Sequence, residues 1–251
     1  MAAVKRLARA TGADEVVIAY PTIISSVPAV ERFGYFPLKP FGWQESNIVA
    51  LVLDLRREQQ EIFSGFDEST RRYIRRCERE GATIQEVKDL ETWRRCYPLN
   101  VQTLGEACYS DTWLDFVWRE FIEPGLAVSI AVIQHGQVVS VATAVRWGTV
   151  GYYWLGFNAQ PPVRGANSLA LWSAISLLKD LGVTDFEIGS LEFGSEEQQG
   201  IGEFKARFRG RPVYQLSGTL RMKPVKHALL ETLTSLIHSP RGSQPDPSDH
   251  T

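Results

Sequence analysis

The chain has 251 residues, 44% of them hydrophobic, enough to bury a sizeable core as one large domain or two small ones. A net charge of −2 and a sequence pI of about 6.1 exclude a globally basic nucleic-acid binder, so any polyanion contact must come from a local patch. Three cysteines (Cys77, Cys96, Cys108) without a C-x-x-C pair exclude a disulfide framework, and His135, His227, His238 and His250 lack metal-ligand spacing, so no metal is expected.

Near the start, Lys5, Arg6 and Arg9 are not followed by an apolar stretch of signal-peptide length. No window approaches the roughly 18 apolar residues of a membrane span. These features predict a soluble, cytoplasmic protein. Residues 2–10 have a helical pattern stopped at Gly12, and 14–20 read as a strand closed by Pro21. A short helix over 28–33 and a loop at Pro37, Pro40 and Gly42 lead to residues 47–55, an apolar run that predicts a strand buried on both faces. Residues 56–63 read as a short helix.

Asp67, Glu68 and Ser69 can cap a helix over 70–80 that Gly81 ends. Arg71, Arg75 and Arg79 share one face of it, four residues apart, with Arg72 and Arg76 alongside. This is the densest basic feature of the chain. It reads either as a solvated face paired with Glu78 and Glu80 or as a contact for a phosphate-bearing partner such as tRNA. A strand over 83–87 is followed by helices over 90–104 and 112–122, rich in tryptophan and phenylalanine. Strands over 127–133 and 138–146 meet at His135-Gly136, a hairpin turn.

The chain is organised around 149–212. Residues 150–157 are a strand holding Tyr153 and Trp154, which as neighbours face opposite sides. A turn through Arg164, Gly165, Ala166 and Asn167 opens a helix over 168–181, whose free N–H groups, with Arg164, can hold an anion. A short strand over 185–188 opens into a loop with Glu192. The last element, 200–210, carries Phe204-Lys205-Ala206-Arg207-Phe208-Arg209-Gly210. A strand over 213–222, a helix over 224–237 and a polar tail over 239–251, expected to be disordered, complete the chain. The order from residue 83 predicts a mixed α/β sheet flanked by helices. The run helix, glycine, strand, helix, Arg-Phe, strand over 7–55 recurs over 177–220, an internal repeat.

The segment 204–210 resembles the F-K-x-x-F-G-G element of the Fem-type aminoacyl (peptidoglycan-bridge) transferases, a branch of the GNAT acyltransferase superfamily. Tyr152-Tyr153, Gly156, Gly165-Ala166-Asn167, Trp172 and 178–186 are similar to what precedes that element there. Leu53-Asp54-Leu55, then 69–76 and Gly81, resemble the family's L-D-L…R-x-x-I-R-x-A-x-x-x-G signature. The resemblance covers roughly residues 14–221. It implies two tandem GNAT-like modules: a truncated first copy over 1–65, a basic linking helix over 66–81, and a complete module over 82–238. The short first copy leaves open a non-catalytic relative acting as a binding module.

The implied reaction is acyl transfer to an amine. It needs a donor for the tetrahedral oxyanion, a grip on the leaving group and a path for the amine's proton. Lys205 beside Phe204 suits the donor or the leaving-group role, and the resemblance points to the same pair. Glu192 is expected as the general base. Tyr153, Trp154, Arg164, Gly165, Asn167 and Arg207 are expected to bind substrate, with Arg71, Arg75, Arg79 and Arg209 contacting phosphates of tRNA. The expected partners are an aminoacyl-tRNA and a nucleotide-linked muropeptide, with no cofactor. The alternative is an acyl-coenzyme-A-dependent N-acyltransferase acting on polysaccharide or amino acids. The R/Q-x-x-G-x-G/A turn of coenzyme-A-binding relatives counts against it, because Asn167 stands where the first glycine should be.

Overall fold

The computed structural model describes residues 2–19, 38–45, 48–191, 196–215 and 217–222, which fall into two compact units. The elements in chain order begin with α1 (Ala2–Ala10), β1 (Glu15–Ala19), β2 (Gln44–Glu45) and β3 (Ile48–Asp54). Next come α2 (Gln59–Gly65), α3 (Glu68–Arg79), β4 (Thr83–Glu86), α4 (Leu90–Arg94), α5 (Tyr97–Leu104) and α6 (Asp111–Val117). The hairpin β5 (Ala127–Gln134) and β6 (Gln137–Trp147) precedes β7 (Val150–Asn158), α7 (Ala166–Asp180) and β8 (Asp185–Leu191). The last elements are α8 (Glu196–Ala206), β9 (Arg211–Gln215) and β10 (Ser217–Arg221). The helices read over 28–33 and 224–237 and the tail over 239–251 lie outside the described residues.

The smaller unit is an antiparallel sheet in the order β1-β10-β2. Val16 and Ile18 of β1 pack toward buried Trp43 and Leu220, while Val17 between them is exposed, the period of two that a one-faced sheet requires.

The larger unit is a seven-stranded sheet in the order β4-β5-β6-β7-β8-β3-β9. Among these pairings only β7 with β8 is parallel, because α7 carries the chain back across the sheet between them. The mixed sheet flanked by helices is the fold class expected from the sequence. Alternate residues of β5 feed two cores. Val128, Ile130 and Val132 join α7, and Ala127 and Ala131 join α4 to α6. The buried hydroxyls of Ser129 and Thr143 satisfy each other at 2.9 Å. His135 and Gly136 both have positive φ, 51° and 75°, the geometry of a two-residue hairpin turn. Helix α7 is apolar around most of its circumference, with Leu169, Ala170, Leu171, Ala174, Ile175 and Leu178 at 0–1% exposure. A helix of this kind belongs inside a protein rather than on it.

Three strand and helix boundaries differ from the sequence reading. Residues 48–54, assigned there to a first module ending at 65, are hydrogen-bonded between β8 and β9 of the larger sheet. The strand expected over 213–222 is two strands. Ile48 opposite Gln215 is the last rung that β3 offers β9, and β10 pairs with β1 and β2. β9 is an edge strand, which is why it tolerates Pro212. The helix expected over 90–104 is broken into α4 and α5 at Cys96, with Pro98 in the first turn of α5. α6 runs on into a π-helical turn over Trp118–Ile122, closed by Glu123 N–H to the Trp118 carbonyl at 2.9 Å.

Asp67 begins α3 by accepting the Ser69 N–H at 2.9 Å and its hydroxyl at 2.6 Å. Thr70, Ile74 and Cys77 form the buried stripe, which leaves the five arginines on the outer face. Asp67 also pairs with Arg209 at 3.0 Å, and its N–H donates to the Arg207 carbonyl at 2.8 Å. The Ser69 hydrogen bonds first, then Arg209, pull its carboxyl down to about 2. A depressed carboxyl stabilises the fold above its unfolded value of about 4, and that contribution is lost as pH falls toward 2. Asp67→Ala is therefore expected to lower the melting temperature at neutral pH. The difference from the parent should shrink between about pH 4 and pH 2, as followed by thermal denaturation across that range. A constant difference down to pH 2 would mean that the carboxylate charge contributes nothing.

Candidate active site

A cleft of about 680 Å³ opens on the larger unit where β7 and β8 separate. The strands pair only from Val150–Tyr152 to Asp185–Glu187. Beyond that point each carries one extra residue relative to its other neighbour. On β7 the register with β6 jumps from Ala144–Tyr153 to Thr143–Leu155, so Trp154 is the bulge. On β8 the register with β3 jumps from Val52–Glu187 to Leu51–Gly189, so Ile188 is the bulge. A bulge turns its strand and ends regular pairing, and two facing bulges hold the strands apart. The cleft wall therefore consists of unpaired strand backbone with the side chains of Tyr153, Trp154, Glu187 and Ile188.

Helix α8 closes one side with Phe204 and Lys205. Lys205 lays its chain over Gly189, whose missing Cβ would stand 3.2 Å from Nζ, and Nζ donates to the Ser190 carbonyl at 2.9 Å. Gly189 has φ 106°, so it serves both the backbone path and the lysine's approach. Phe204 and Phe208 are one helical turn apart with ring centroids at 5.4 Å, and Phe208, 1% exposed, meets Phe66 at 4.9 Å. Phe66 in turn meets Trp172 of α7 at 5.2 Å. This row of edge-on aromatics fixes the helix that carries Lys205. Asn167, at the start of α7, also lines the cleft, and its Oδ1 accepts the Ser168 N–H at 2.8 Å.

The other expected site residues are committed elsewhere. Arg164 places its guanidinium 4.6 Å over the Tyr73 ring. Gly165 has φ 89°, and a Cβ there would stand 2.5 Å from the Tyr73 carbonyl oxygen, so its glycine lets α3 approach α7. Neither lines the cleft. Arg207 reaches Glu203 at 3.7 Å, and Arg209 is held by Asp67. Arg71 donates to the carbonyls of Phe66 (2.9 Å) and Ser64, capping the end of α2. Arg75 stacks on Phe63 at 5.3 Å and Arg79 returns to the Arg75 carbonyl at 3.3 Å. Arg71, Arg72, Arg75 and Arg79 line a separate shallow groove on α3 with Glu68 and Glu78. Glu192 lies outside the described residues.

The sequence reading passed over Glu187. It is 6% exposed, and it is the one carboxylate among the described residues lining the cleft. Its signal was an acid set between the apolar Phe186 and Ile188. Burial first, then the Glu187 charge, push the Tyr152 phenol up to about 12. Burial alone pushes the Tyr153 phenol up to about 12. Both tyrosines are therefore neutral at physiological pH. Among the described residues the cleft thus offers one lysine, one buried carboxylate and neutral hydroxyls, a set suited to holding a polar carbonyl and moving protons. Among the described residues no group of three or more His, Cys, Asp or Glu can hold a metal ion, and no helix is long and apolar enough to cross a membrane.

The profile of the acetyltransferase (GNAT) domain matches residues 65–205, more than half of the chain. Comparison with curated protein sequences finds no match. Among solved structures, that of FemX is similar over 91% of this chain and 77% of its own, with 13% identity and a TM-score of 0.66. The C-terminal domain of a putative lysylphosphatidylglycerol synthetase from Agrobacterium fabrum is similar over 96% and 79%, with 12% identity and a TM-score of 0.57. A tandem GNAT protein from the clavulanic acid biosynthesis pathway is similar over 88% and 68%, with 13% identity and a TM-score of 0.52. At these identities the likeness is one of fold.

The strand β7 makes one local demand that can be tested. A Cβ on Gly156 would stand 1.9 Å from the Tyr153 hydroxyl oxygen and 3.0 Å from Cζ. Gly156→Ala is expected to destabilise by about 1–3 kcal/mol through this overlap. Adding Tyr153→Phe, which removes the offending oxygen, should recover most of the loss, as measured by urea unfolding of the two single variants and the pair. Additive effects would show that the phenol does not rest on Gly156.

Proposed function

The chain belongs to the acetyltransferase (GNAT) domain family, and from that premise we propose that it transfers an aminoacyl group from an aminoacyl-tRNA to an amine of a peptidoglycan-precursor peptide. The observation that carries the reading is Lys205, held over Gly189 on the wall of the cleft between β7 and β8. An ammonium fixed by a backbone carbonyl and an aromatic row is a preorganised donor for a developing oxyanion, and its position does not need to change as the charge forms. The Phe204-Lys205 pair comes from the segment that resembles the Fem-type element, and the FemX structure shares the fold over most of both chains. Aminoacyl esters are activated at the carbonyl, so transfer needs no cofactor beyond the charged tRNA. The protein would act in the cytoplasm, where that donor is found.

The α3 groove supports the same reading in reduced form. With Arg71 engaged at the end of α2, a phosphate backbone would be met by Arg72, Arg75 and Arg79, the last two exchanging their contacts with Phe63 and the Arg75 carbonyl for it.

A second reading, acyl transfer from coenzyme A, is favoured by the start of α7 at the cleft, where a fifteen-residue helix presents its N-terminus beside Asn167. Two observations weigh against it. Arg164 is stacked on Tyr73, and the Asn167 side chain already takes one of the free N–H groups.

Lys205→Ala is expected to lower the rate of aminoacyl transfer by about 10²–10³-fold while leaving the melting temperature within a few degrees. The assay is single-turnover transfer from charged tRNA to a UDP-linked muropeptide, with acetyl-coenzyme A as the competing donor. Transfer from acetyl-coenzyme A alone would replace the first reading by the second. Full activity of Lys205→Ala with either donor would remove the lysine from the site.

A further inference from the structure

We propose that Glu187 is the group that takes the proton from the acceptor amine, so that the cleft selects acceptors arriving as primary ammonium ions. The inference rests on the acyl-transfer reading above and adds to it the residue that activates the nucleophile.

Glu187 is the last residue of β8 to pair with β7, opposite Tyr152, and the strands part immediately after it. Its neighbour Phe186 is fully buried among Leu178 and Val183, toward α7. Alternation along the strand sends Glu187 to the opposite face, beside Tyr152, whose phenol responds to its charge. The carboxylate therefore stands at the apex of the cleft, with the bulged Trp154 on one wall. Trp154 is backed by Trp113 at 5.8 Å and Phe121 at 4.9 Å. A carboxylate next to an aromatic wall in a largely desolvated apex is a receptor for an ammonium group. The other titratable groups lining the cleft among the described residues are Tyr153 of β7 and Lys205 of α8, while Tyr152 stands opposite Glu187 where the strands still pair. The tyrosines are neutral, so among the described residues the acid and the lysine are the two charged side chains lining the cleft. Glu187 is on β8, and Lys205 of α8 overlies Gly189, two residues further along that strand.

The step balances as follows. Glu187 accepts a proton from the bound ammonium, and the freed lone pair forms the C–N bond at the acyl carbonyl. The carbonyl π electrons move to the oxygen, which faces the Lys205 ammonium. As the tetrahedral species collapses, the C–O bond to the ribose breaks and the departing oxygen takes the second nitrogen proton. Glu187 then returns its proton to solvent. The net products are an amide, a free ribose hydroxyl and one proton.

The test compares two acceptors on the full chain, with charged tRNA and acetyl-coenzyme A each used as donor. One acceptor is a lysine-type amine, protonated at neutral pH. The other is hydroxylamine, which is not. Glu187→Gln keeps the side chain's shape. It should lower kcat for the lysine-type amine by about 10²–10³-fold at pH 7, yet change hydroxylamine transfer by less than about fivefold. The loss with the lysine-type amine should also shrink by about tenfold per pH unit as pH rises toward the amine's own value. Glu187→Asp should retain an intermediate rate. Equal losses with both acceptors at every pH would make Glu187 a structural residue and overturn the proposal. So would an unchanged rate with both. A parent protein active with neither acceptor and neither donor would overturn the acyl-transfer reading itself, together with this assignment. Lys205→Ala, expected to slow both acceptors alike, separates the two failures.

Discussion

The site depends on one constraint: β7 and β8 are parallel neighbours for three rungs and then cannot continue. A parallel pair is joined by a crossover, and here the crossover is α7, whose apolar girth fills the space beneath the sheet. The bulges at Trp154 and Ile188 then part the strands where each is still supported by its other neighbour, β6 or β3. Seven strands with a gap between the two central ones would lose much of their continuity if the outer pairings were weak. Here β3 repairs the loss. It lies on the far side of β8 with its apolar face residues buried, so β8 keeps a full antiparallel partner while its other edge opens. The cleft is thus a deliberate break in a sheet that is secured on both sides of the break.

The lysine's position follows from the packing of the helix that carries it. Phe208 anchors the end of α8 into the aromatic row with Phe66 and Trp172, and Gly210 passes against β3, where a Cβ would stand 3.1 Å from the Val52 nitrogen. In Phe204-Lys205-Ala206-Arg207-Phe208-Arg209-Gly210, the two phenylalanines face the core, the lysine turns over Gly189, and the glycine permits the return to the sheet. Each residue type answers a geometric requirement of a helix ending at a cleft. Arg209 sits at φ 56°, a left-handed position for a non-glycine, held there with its guanidinium on Asp67.

Much of this was legible in the sequence. The strands β5 and β6, the apolar run of β3, the His135-Gly136 turn and the Asp67 cap are local signals, and the structure has them where the residues indicate. The lysine and Phe204 were legible through a spaced motif. The strand pairing of β3 between β8 and β9 was not, because nothing in an apolar strand names its neighbours. The division of 213–222 was also hidden, since it is set by where β3 runs out of rungs. Arg164 and Gly165 looked like an anion site because a glycine before a helix has that meaning locally. Their actual engagement is with Tyr73, some ninety residues earlier, a tertiary contact that no window of sequence contains. Glu187 was overlooked for the converse reason. An acid between two apolar strand residues has no motif, and its place beside a gap that only the bulges create is a tertiary fact.

Asp67 joins two parts of the chain that are far apart in sequence. It starts the arginine helix, it binds Arg209, and its own N–H holds the Arg207 carbonyl just beyond the lysine-bearing helix. The two helices therefore share a single fastening at adjoining ends. Local opening of either one should release amides in both, so that they exchange with solvent as one unit. A ligand that quiets the arginine helix would then also slow the excursions of Lys205, without touching the cleft.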